Sequence, residues 1–137
     1  MTQVIVINFG SQVAHLINRR IRELGVFSEL VPYNVSAKEI KKINPKGIIL
    51  SGGPSSVYDK NSPIIDKKIF DLGIPVLGIC YGMQLIGKFY GKVLGGKLKE
   101  FGKKRLVVKK NGTLLSGLRK EEQIWMSHGD LVKRFPQ

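Results

Sequence analysis

The single cysteine of the chain is the residue best placed to act as a nucleophile. Cys80 stands within Gly78–Gly82, after the apolar run Pro75-Val76-Leu77 and before the segment Met83–Phe89. The first run predicts the end of a buried strand and the second predicts a short helix. A nucleophile between small residues at a strand-to-helix turn is typical of a nucleophile elbow. A lone cysteine is more often a small buried apolar residue, but the two glycines favour the reactive interpretation.

Two further loops are expected at the same end of the sheet as the cysteine. One is the glycine turn Ser51–Pro54, which follows the apolar run ending at Leu50, and the other follows Asn8. Ligands of open α/β sheets bind at the carboxyl ends of the strands, so these loops should meet Cys80. Backbone N–H groups of the glycine turn, with the N–H of Tyr81, could form an oxyanion hole. An ordinary glycine turn is the alternative.

Polar side chains at other positions could contact a substrate or assist the thiol. Gln84 lies one helical turn after Cys80, which puts its amide on the same helix face. The segment Trp125–Asp130 ends an apolar run with polar residues, among them His128. His128 could be a general base, although a lone histidine near a strand end is more often structural. His15 lies inside a predicted helix, and neither histidine has a spacing that identifies it as the base.

Short apolar runs alternate with helical patterns over the first two-thirds of the chain. Strands that alternate with helices at this spacing indicate βαβ units, and hence an α/β fold of flavodoxin-like type with an open, mostly parallel sheet covered on both faces. The predicted elements are strand 3–8, helix 12–24, strand 26–31, a short helix opening at the capping box 36–39, strand 47–50, helix 64–72 and strand 75–79.

The pattern changes after about residue 91. Short apolar runs separated by turn signals predict shorter, partly antiparallel strands there. These runs lie at 93–94, 98, 106–108, 114–115 and 124–126.

Length and charge limit the classes of protein that the chain can be. The 137 residues suit one domain, and one cysteine excludes both a disulfide framework and a cysteine-based zinc site. The absence of a signal-peptide pattern and of a long apolar run predicts a cytoplasmic protein with no membrane partner. The net charge of +13 would suit nucleic acid, but the lysines are scattered. We therefore expect a solvated basic surface and no nucleic-acid partner.

Five segments together resemble the class I glutamine amidotransferase domains of the GMP synthase branch. The resemblance runs from residue 3 to the end of the chain, so residues 1–137 are expected to form a single domain of this kind. The segments are Phe9–Gln12, Ile17–Glu23, Ser51–Tyr58, Gly78–Gln84 and Trp125–Asp130.

The resemblance implies a cysteine-dependent glutaminase. Cys80 would attack the side-chain amide of glutamine and form a glutamyl thioester, while the N–H groups of Gly53 and Tyr81 hold the oxyanion. Further residues would position the substrate glutamine: Gly52, Gln84, Ser127, Gly129 and Asp130.

The resemblance also implies a partner for the ammonia that such a domain releases. An ATP-pyrophosphatase domain or subunit would use the ammonia to convert XMP to GMP in purine biosynthesis. ATP and Mg²⁺ would be bound by that partner, and no cofactor or metal is expected in this chain.

The chain departs from the family in its last part. The family takes its triad histidine and glutamate from a His-Pro-Glu motif, and this sequence ends at Phe135-Pro136-Gln137 without one. We therefore expect an incomplete, C-terminally truncated domain that is inactive or very weakly active alone. Val13 also stands where the family usually has an aromatic residue. The alternative is a non-catalytic glutamine-binding or regulatory module of the same fold.

Overall fold

A parallel sheet forms the centre of the fold. The computed structural model describes residues 1–53, 60–90, 92–94, 100–107, 112, 114–128 and 131–134. The strands of the sheet are β1 (Val4–Asn8), β2 (Ser28–Pro32), β3 (Gly47–Leu50) and β4 (Val76–Gly78). Within the described residues their order is β2-β1-β3-β4, and each neighbouring pair is parallel. The carboxyl ends of β1, β3 and β4 therefore lie side by side, as the sequence predicts.

Helices connect these strands, and their first residues explain where they begin. Ser11 caps α1 (Gln12–Glu23), and its hydroxyl accepts a hydrogen bond from the N–H of Val13. The predicted capping box opens α2 (Ala37–Ile43): Ser36 and Glu39 each accept a hydrogen bond from the other's backbone N–H. A 3₁₀ helix (Lys67–Leu72) precedes β4, and α3 (Tyr81–Tyr90) follows it.

The main hydrophobic core lies on one face of the sheet. Alternate residues of β1 and β3 point into it, and α2, the 3₁₀ helix and α3 contribute the opposing side chains. Ala14 of α1 is buried outside this cluster, and α1 contacts β1 and β2. The buried cluster comprises Ile5, Ile7, Phe9, Val35, Ala37, Ile40, Ile48, Leu50, Ile65, Ile69, Tyr81 and Leu85.

Two elements of the first half start at least two residues later than the sequence predicts. The strand expected from residue 26 begins at Ser28, because the N–H of Val26 still bonds to Ile21 of α1. The helix expected over 64–72 is a 3₁₀ helix that begins at Lys67. Asp66 caps it, and the same carboxylate accepts a hydrogen bond from α2, so the chain is held at residue 66.

The second half contains antiparallel strands, as expected. In the described residues β5 (Lys92–Leu94) pairs with β8 (Leu131–Arg134), and β6 (Glu100–Val107) pairs with β7 (Glu121–His128). The expected strand at 114–115 is wrong: these residues lie in a turn, in which the N–H of Leu118 bonds to the carbonyl of Leu115. β8 was not expected, and residue 98 lies outside the described part.

No helix in the described part of the chain is long and apolar enough to cross a membrane.

Asp66 joins two helices, and this generates a prediction about acid stability. Its carboxylate accepts a hydrogen bond from Ala37 N at 3.0 Å and one from Lys68 N at 3.0 Å. These bonds hold the pKa of Asp66 below its ordinary value. The substitution Asp66→Ala should lower the free energy of unfolding at pH 7 by about 1–2 kcal/mol, the usual loss on removing such a cap. Urea unfolding followed by circular dichroism measures it.

The carboxylate of Asp66 also determines the direction in which stability changes with pH. A lowered folded-state pKa means that the stabilisation is fully present above the unfolded pKa of about 4 and is lost as pH falls through the folded value. The difference between wild type and Asp66→Ala should therefore shrink towards zero in acid. Asp71→Asn is the control, since Asp71 lies on the same 3₁₀ helix and accepts no hydrogen bond from a described residue. A difference that stays constant from pH 7 to pH 3 would contradict the assignment.

Candidate active site

Cys80 occupies a strained turn between a strand and a helix. Its φ is +53°, one of the two positive values among described non-glycine residues, and it lies in the short connection from β4 to α3. A side chain in this region costs about 1–3 kcal/mol and persists only where the surroundings enforce it. The thiol is exposed. The strand–turn–helix geometry expected of a nucleophile elbow is therefore present, with the sulfur open to solvent at the carboxyl edge of the sheet.

Backbone contacts with β3 enforce this turn. The N–H of Ile79 donates to the carbonyl of Leu50 at 2.8 Å, and the N–H of Gly82 donates to the carbonyl of Ser51 at 3.1 Å. A Cβ at Gly82 would collide with the carbonyl oxygen of Leu50, and one at Gly78 would lie 2.8 Å from the Met83 nitrogen. Both glycines are therefore required because backbone packs directly on backbone.

The glycine turn after β3 lies beside the cysteine. A Cβ added to Gly52 would lie 3.4 Å from the Cβ of Cys80 and 3.9 Å from its sulfur. A Cβ added to Gly53 would lie 2.8 Å from the carbonyl oxygen of Phe9. The loops after β1, β3 and β4 therefore meet, as predicted. Residues 54–59, which continue the turn, lie outside the described residues.

Gln84 presents a buried amide on the helix that follows Cys80. Its backbone N–H donates to the carbonyl of Cys80 at 3.1 Å, and the residue is 7% exposed. The side-chain oxygen Oε1 is buried and accepts no hydrogen bond from any group in the described part of the chain. A buried acceptor without a donor costs about 1–3 kcal/mol. Such an atom suits a ligand that brings an N–H group.

The side chain of Tyr81 also has fixed contacts, in addition to its predicted backbone N–H donor. Its side chain is 1% exposed, and its hydroxyl donates to the carbonyl of Pro63 at 2.5 Å. Its ring lies 5.1 Å from the ring of Phe9, with the planes tilted by 57°. The first residue of α3 is thus fixed at both ends of its side chain. The sequence had indicated this position only through its place after the cysteine.

Ser51 is a second residue whose contribution was missed. Its hydroxyl donates to the carbonyl of Ile7 at 2.6 Å, and its N–H donates to the same oxygen at 3.2 Å. Its own carbonyl accepts from Gly82, so one buried residue links β1, β3 and α3. The available signal was a small polar residue placed between a buried strand and a pair of glycines.

For the remaining predicted site residues, the described part of the chain gives no contact with Cys80. Ser127 lies in β7 and pairs with Phe101 of β6, whereas Gly129 and Asp130 lie outside the described residues. His128 ends β7, and His15 is exposed on α1. Among the side chains that the structure describes, no group of three or more histidine, cysteine, aspartate or glutamate residues could hold a metal ion.

Comparisons with known proteins agree with this fold. Residues 5–137 match the family glutamine amidotransferase class-I. The chain therefore belongs to the class I glutamine amidotransferases. It is 56% identical over 135 residues to the glutamine-hydrolysing GMP synthase of Bacillus subtilis (strain 168), and 53% identical over 135 residues to that of Listeria monocytogenes serovar 1/2a. Each match covers 98% of this chain but 26% of the relative's own length.

Solved structures show the same fold. A Thermoplasma acidophilum protein, assigned as one subunit of a GMP synthase, aligns with a TM-score of 0.84 and 32% identity, over 99% of this chain and 69% of its own. A glutamine amidotransferase of Thermotoga maritima aligns with a TM-score of 0.73 and 19% identity, over 95% of this chain and 61% of its own. The flavodoxin-like α/β fold and the GMP synthase branch expected from the sequence are thereby confirmed.

The contact between Gly82 and β3 yields a prediction about the stability of the elbow. Gly82→Ala should lower the free energy of unfolding by about 2–3 kcal/mol, because the new methyl group forces α3 away from the carbonyl of Leu50. Gly47→Ala is the matched control, since a Cβ there has no neighbour within 4 Å and should change stability by about 0.5 kcal/mol or less. Equal losses in both variants, measured by urea unfolding, would refute the proposed packing.

Proposed function

We propose that this chain is the glutamine-hydrolysing part of a GMP synthase, with Cys80 as its nucleophile. The observation that carries the proposal is the strained, solvent-exposed cysteine with Gly52 and Gly53 on one side and Tyr81 on the other. The names of the relatives support the substrate, since they are GMP synthases described as glutamine-hydrolysing.

The chemistry follows from these positions. The Cys80 sulfur attacks the carbonyl carbon of the glutamine side-chain amide, and the amide oxygen becomes an oxyanion. The N–H groups of Gly53 and Tyr81 stabilise that oxygen, in the manner that oxyanion holes do. Tyr81 opens α3, so its N–H points out of the positive end of the helix. The carbon–nitrogen bond then breaks, and ammonia leaves once the nitrogen has gained a proton. Water hydrolyses the thioester to glutamate and restores the thiol.

Gln84 is proposed to hold the substrate. Its buried Oε1 accepts an N–H of the glutamine, which supplies the donor that the described structure lacks. Gly52 leaves room for the substrate beside the sulfur, since even a methyl group there would reach within 3.9 Å of Sγ. Ser127, Gly129 and Asp130 complete the pocket in this proposal. Their contribution rests on the family resemblance.

Turnover requires a general base, and the proposed site does not include one. No His-Pro-Glu sequence occurs in the 137 residues, and neither His15 nor His128 corresponds to the triad histidine of the family. Removing a triad member commonly lowers the rate by several orders of magnitude. The isolated chain is therefore expected to hydrolyse glutamine very slowly or not at all.

The proposal extends to the rest of the reaction. Ammonia passes to an ATP-pyrophosphatase domain or subunit, which binds ATP and Mg²⁺ and converts XMP to GMP. This assignment rests on the GMP synthases that the chain matches over 26% of their length. The cytoplasmic location inferred from the sequence is part of the same proposal.

Labelling of the thiol tests the proposed nucleophile directly. The glutamine analogue 6-diazo-5-oxo-L-norleucine carries a diazomethyl group in place of the amide nitrogen. The Cys80 sulfur should bond to the diazo carbon, which takes up the thiol proton, while N₂ leaves. Intact-mass analysis should show a single adduct, and added glutamine should slow its formation at least about tenfold if both compete for one site. Cys80→Ser should give no adduct.

Two further measurements separate labelling within the glutamine site from general reactivity of the thiol. Gln84→Met should lose protection by glutamine while still reacting with iodoacetamide, because it removes the buried acceptor and keeps the exposed thiol. A folded chain that the analogue does not label would contradict the proposed nucleophile. Calorimetric binding of glutamine without labelling would favour the non-catalytic binding module instead.

A further inference from the structure

We propose that Phe9 is a positioning residue that sets the separation of the two oxyanion donors, the N–H groups of Gly53 and Tyr81. The inference rests on the proposed function, since it concerns the oxyanion hole of that reaction. Phe9 is the first residue after β1 and is 3% exposed. It contacts both donor residues, one through its backbone and the other through its ring.

The backbone side of Phe9 limits how closely the glycine turn can approach. A Cβ on Gly53 would lie 2.8 Å from the Phe9 carbonyl oxygen and 3.0 Å from the Phe9 Cβ. Gly53 therefore rests directly on Phe9 with no space for a side chain. Any shift of Phe9 along this direction moves the backbone of Gly53, and its N–H moves with it.

The ring side of Phe9 packs against the other donor. The rings of Phe9 and Tyr81 are 5.1 Å apart at an angle of 57°, within the range of favourable aromatic pairs. The far end of Tyr81 is held by its hydrogen bond to Pro63. The side chain of Tyr81 is therefore supported at its hydroxyl by Pro63 and along its ring by Phe9. Loss of the Phe9 ring leaves a gap into which Tyr81, and with it the start of α3, can shift.

Phe9 itself is held firmly by the end of β1. Ile7 is in register with Leu50 of β3 and accepts two hydrogen bonds from Ser51. The chain then turns sharply at Gly10, where φ is +96° and the N–H donates to the side chain of Asn8 at 2.8 Å. Phe9 is thus a rigid spacer between the glycine turn and the start of α3, which the hydrogen bond from Gly82 to Ser51 also joins.

A spacer of this kind should affect the chemical step and leave ground-state binding largely unchanged. The two N–H groups would hold the ketone oxygen of 6-diazo-5-oxo-L-norleucine and so place its diazo carbon at the sulfur. An error of about 1 Å in a reacting geometry can lower a rate about a hundredfold. Binding of glutamine depends on groups elsewhere in the pocket. Shortening Phe9 should therefore reduce the maximal rate of thiol capture more than the affinity for the analogue.

The test compares two identical substitutions in the full chain. Phe9→Leu removes the ring beside Tyr81, and Phe70→Leu removes a ring that pairs with Phe89 and Tyr90 at 5.9 and 5.4 Å. Inactivation by 6-diazo-5-oxo-L-norleucine is measured at several concentrations to separate kinact from KI. Phe9→Leu should lower kinact about 10–100-fold with KI changed less than about threefold. Phe70→Leu should leave both within about twofold of the wild type.

Other readouts distinguish the ways in which the inference could fail. The rate of reaction with iodoacetamide, which needs no oxyanion hole, should be the same in all variants. An unchanged kinact in Phe9→Leu, or a rise in KI alone, would overturn the inference while labelling of the wild type still supports the proposed nucleophile. Absence of labelling in the wild type would overturn both. If Phe9→Leu lacks the native circular dichroism spectrum, Phe9→Met and Phe70→Met replace the pair, since methionine conserves more volume.

Discussion

The direct packing of one backbone on another at the end of β3 is the constraint on which the site depends. Ile79 and Gly82 donate hydrogen bonds to the carbonyls of Leu50 and Ser51, and Gly82 has no room for a side chain. The chain between these two anchors has only two residues in which to turn from a strand into a helix. Cys80 consequently takes a φ that an L-residue rarely adopts, and the residue is exposed to solvent.

The parallel register of the sheet extends this local constraint to the neighbouring loops. Because β1, β3 and β4 run in the same direction, the residues that follow them arrive at one edge. Ser51 ties the end of β3 to β1, and Phe9 and Gly53 then touch through their backbones. These backbone contacts bring an exposed thiol and backbone N–H groups together. The same contacts stabilise the fold and position the groups proposed to react. Glycine at positions 53 and 82 therefore serves both purposes.

Much of the fold could be predicted from the sequence. Runs such as Gly47–Leu50 are short, apolar and bounded by turn residues, so their secondary structure depends little on tertiary context. The capping box at Ser36 is likewise a local signal that the structure confirms. The 3₁₀ helix was harder, because its start is set by a carboxylate that also bonds to α2, 29 positions earlier in the chain. Such long-range hydrogen bonds leave no pattern in a single sequence.

The residues of the candidate site could be predicted from the sequence, but the residues that support them could not. Cys80, the glycine turn and Gln84 could be found because their residue types and spacing indicate a nucleophile, donors and an amide. Phe9 and Ser51 could not, since an aromatic residue and a serine at strand ends fit many functions. Their importance comes from contacts with residues distant in the sequence, as in the bond from Ser51 to Ile7, which spans 44 positions.

A crystal structure of the chain after reaction with 6-diazo-5-oxo-L-norleucine would show whether the thiol and the two N–H groups act on the same ligand. We expect a bond from the Cys80 sulfur to the terminal carbon of the analogue. We also expect the ketone oxygen to lie about 2.7–3.1 Å from the backbone nitrogens of Gly53 and Tyr81, the range expected for an oxyanion hole. An adduct whose ketone oxygen points into solvent, away from both nitrogens, would contradict this arrangement.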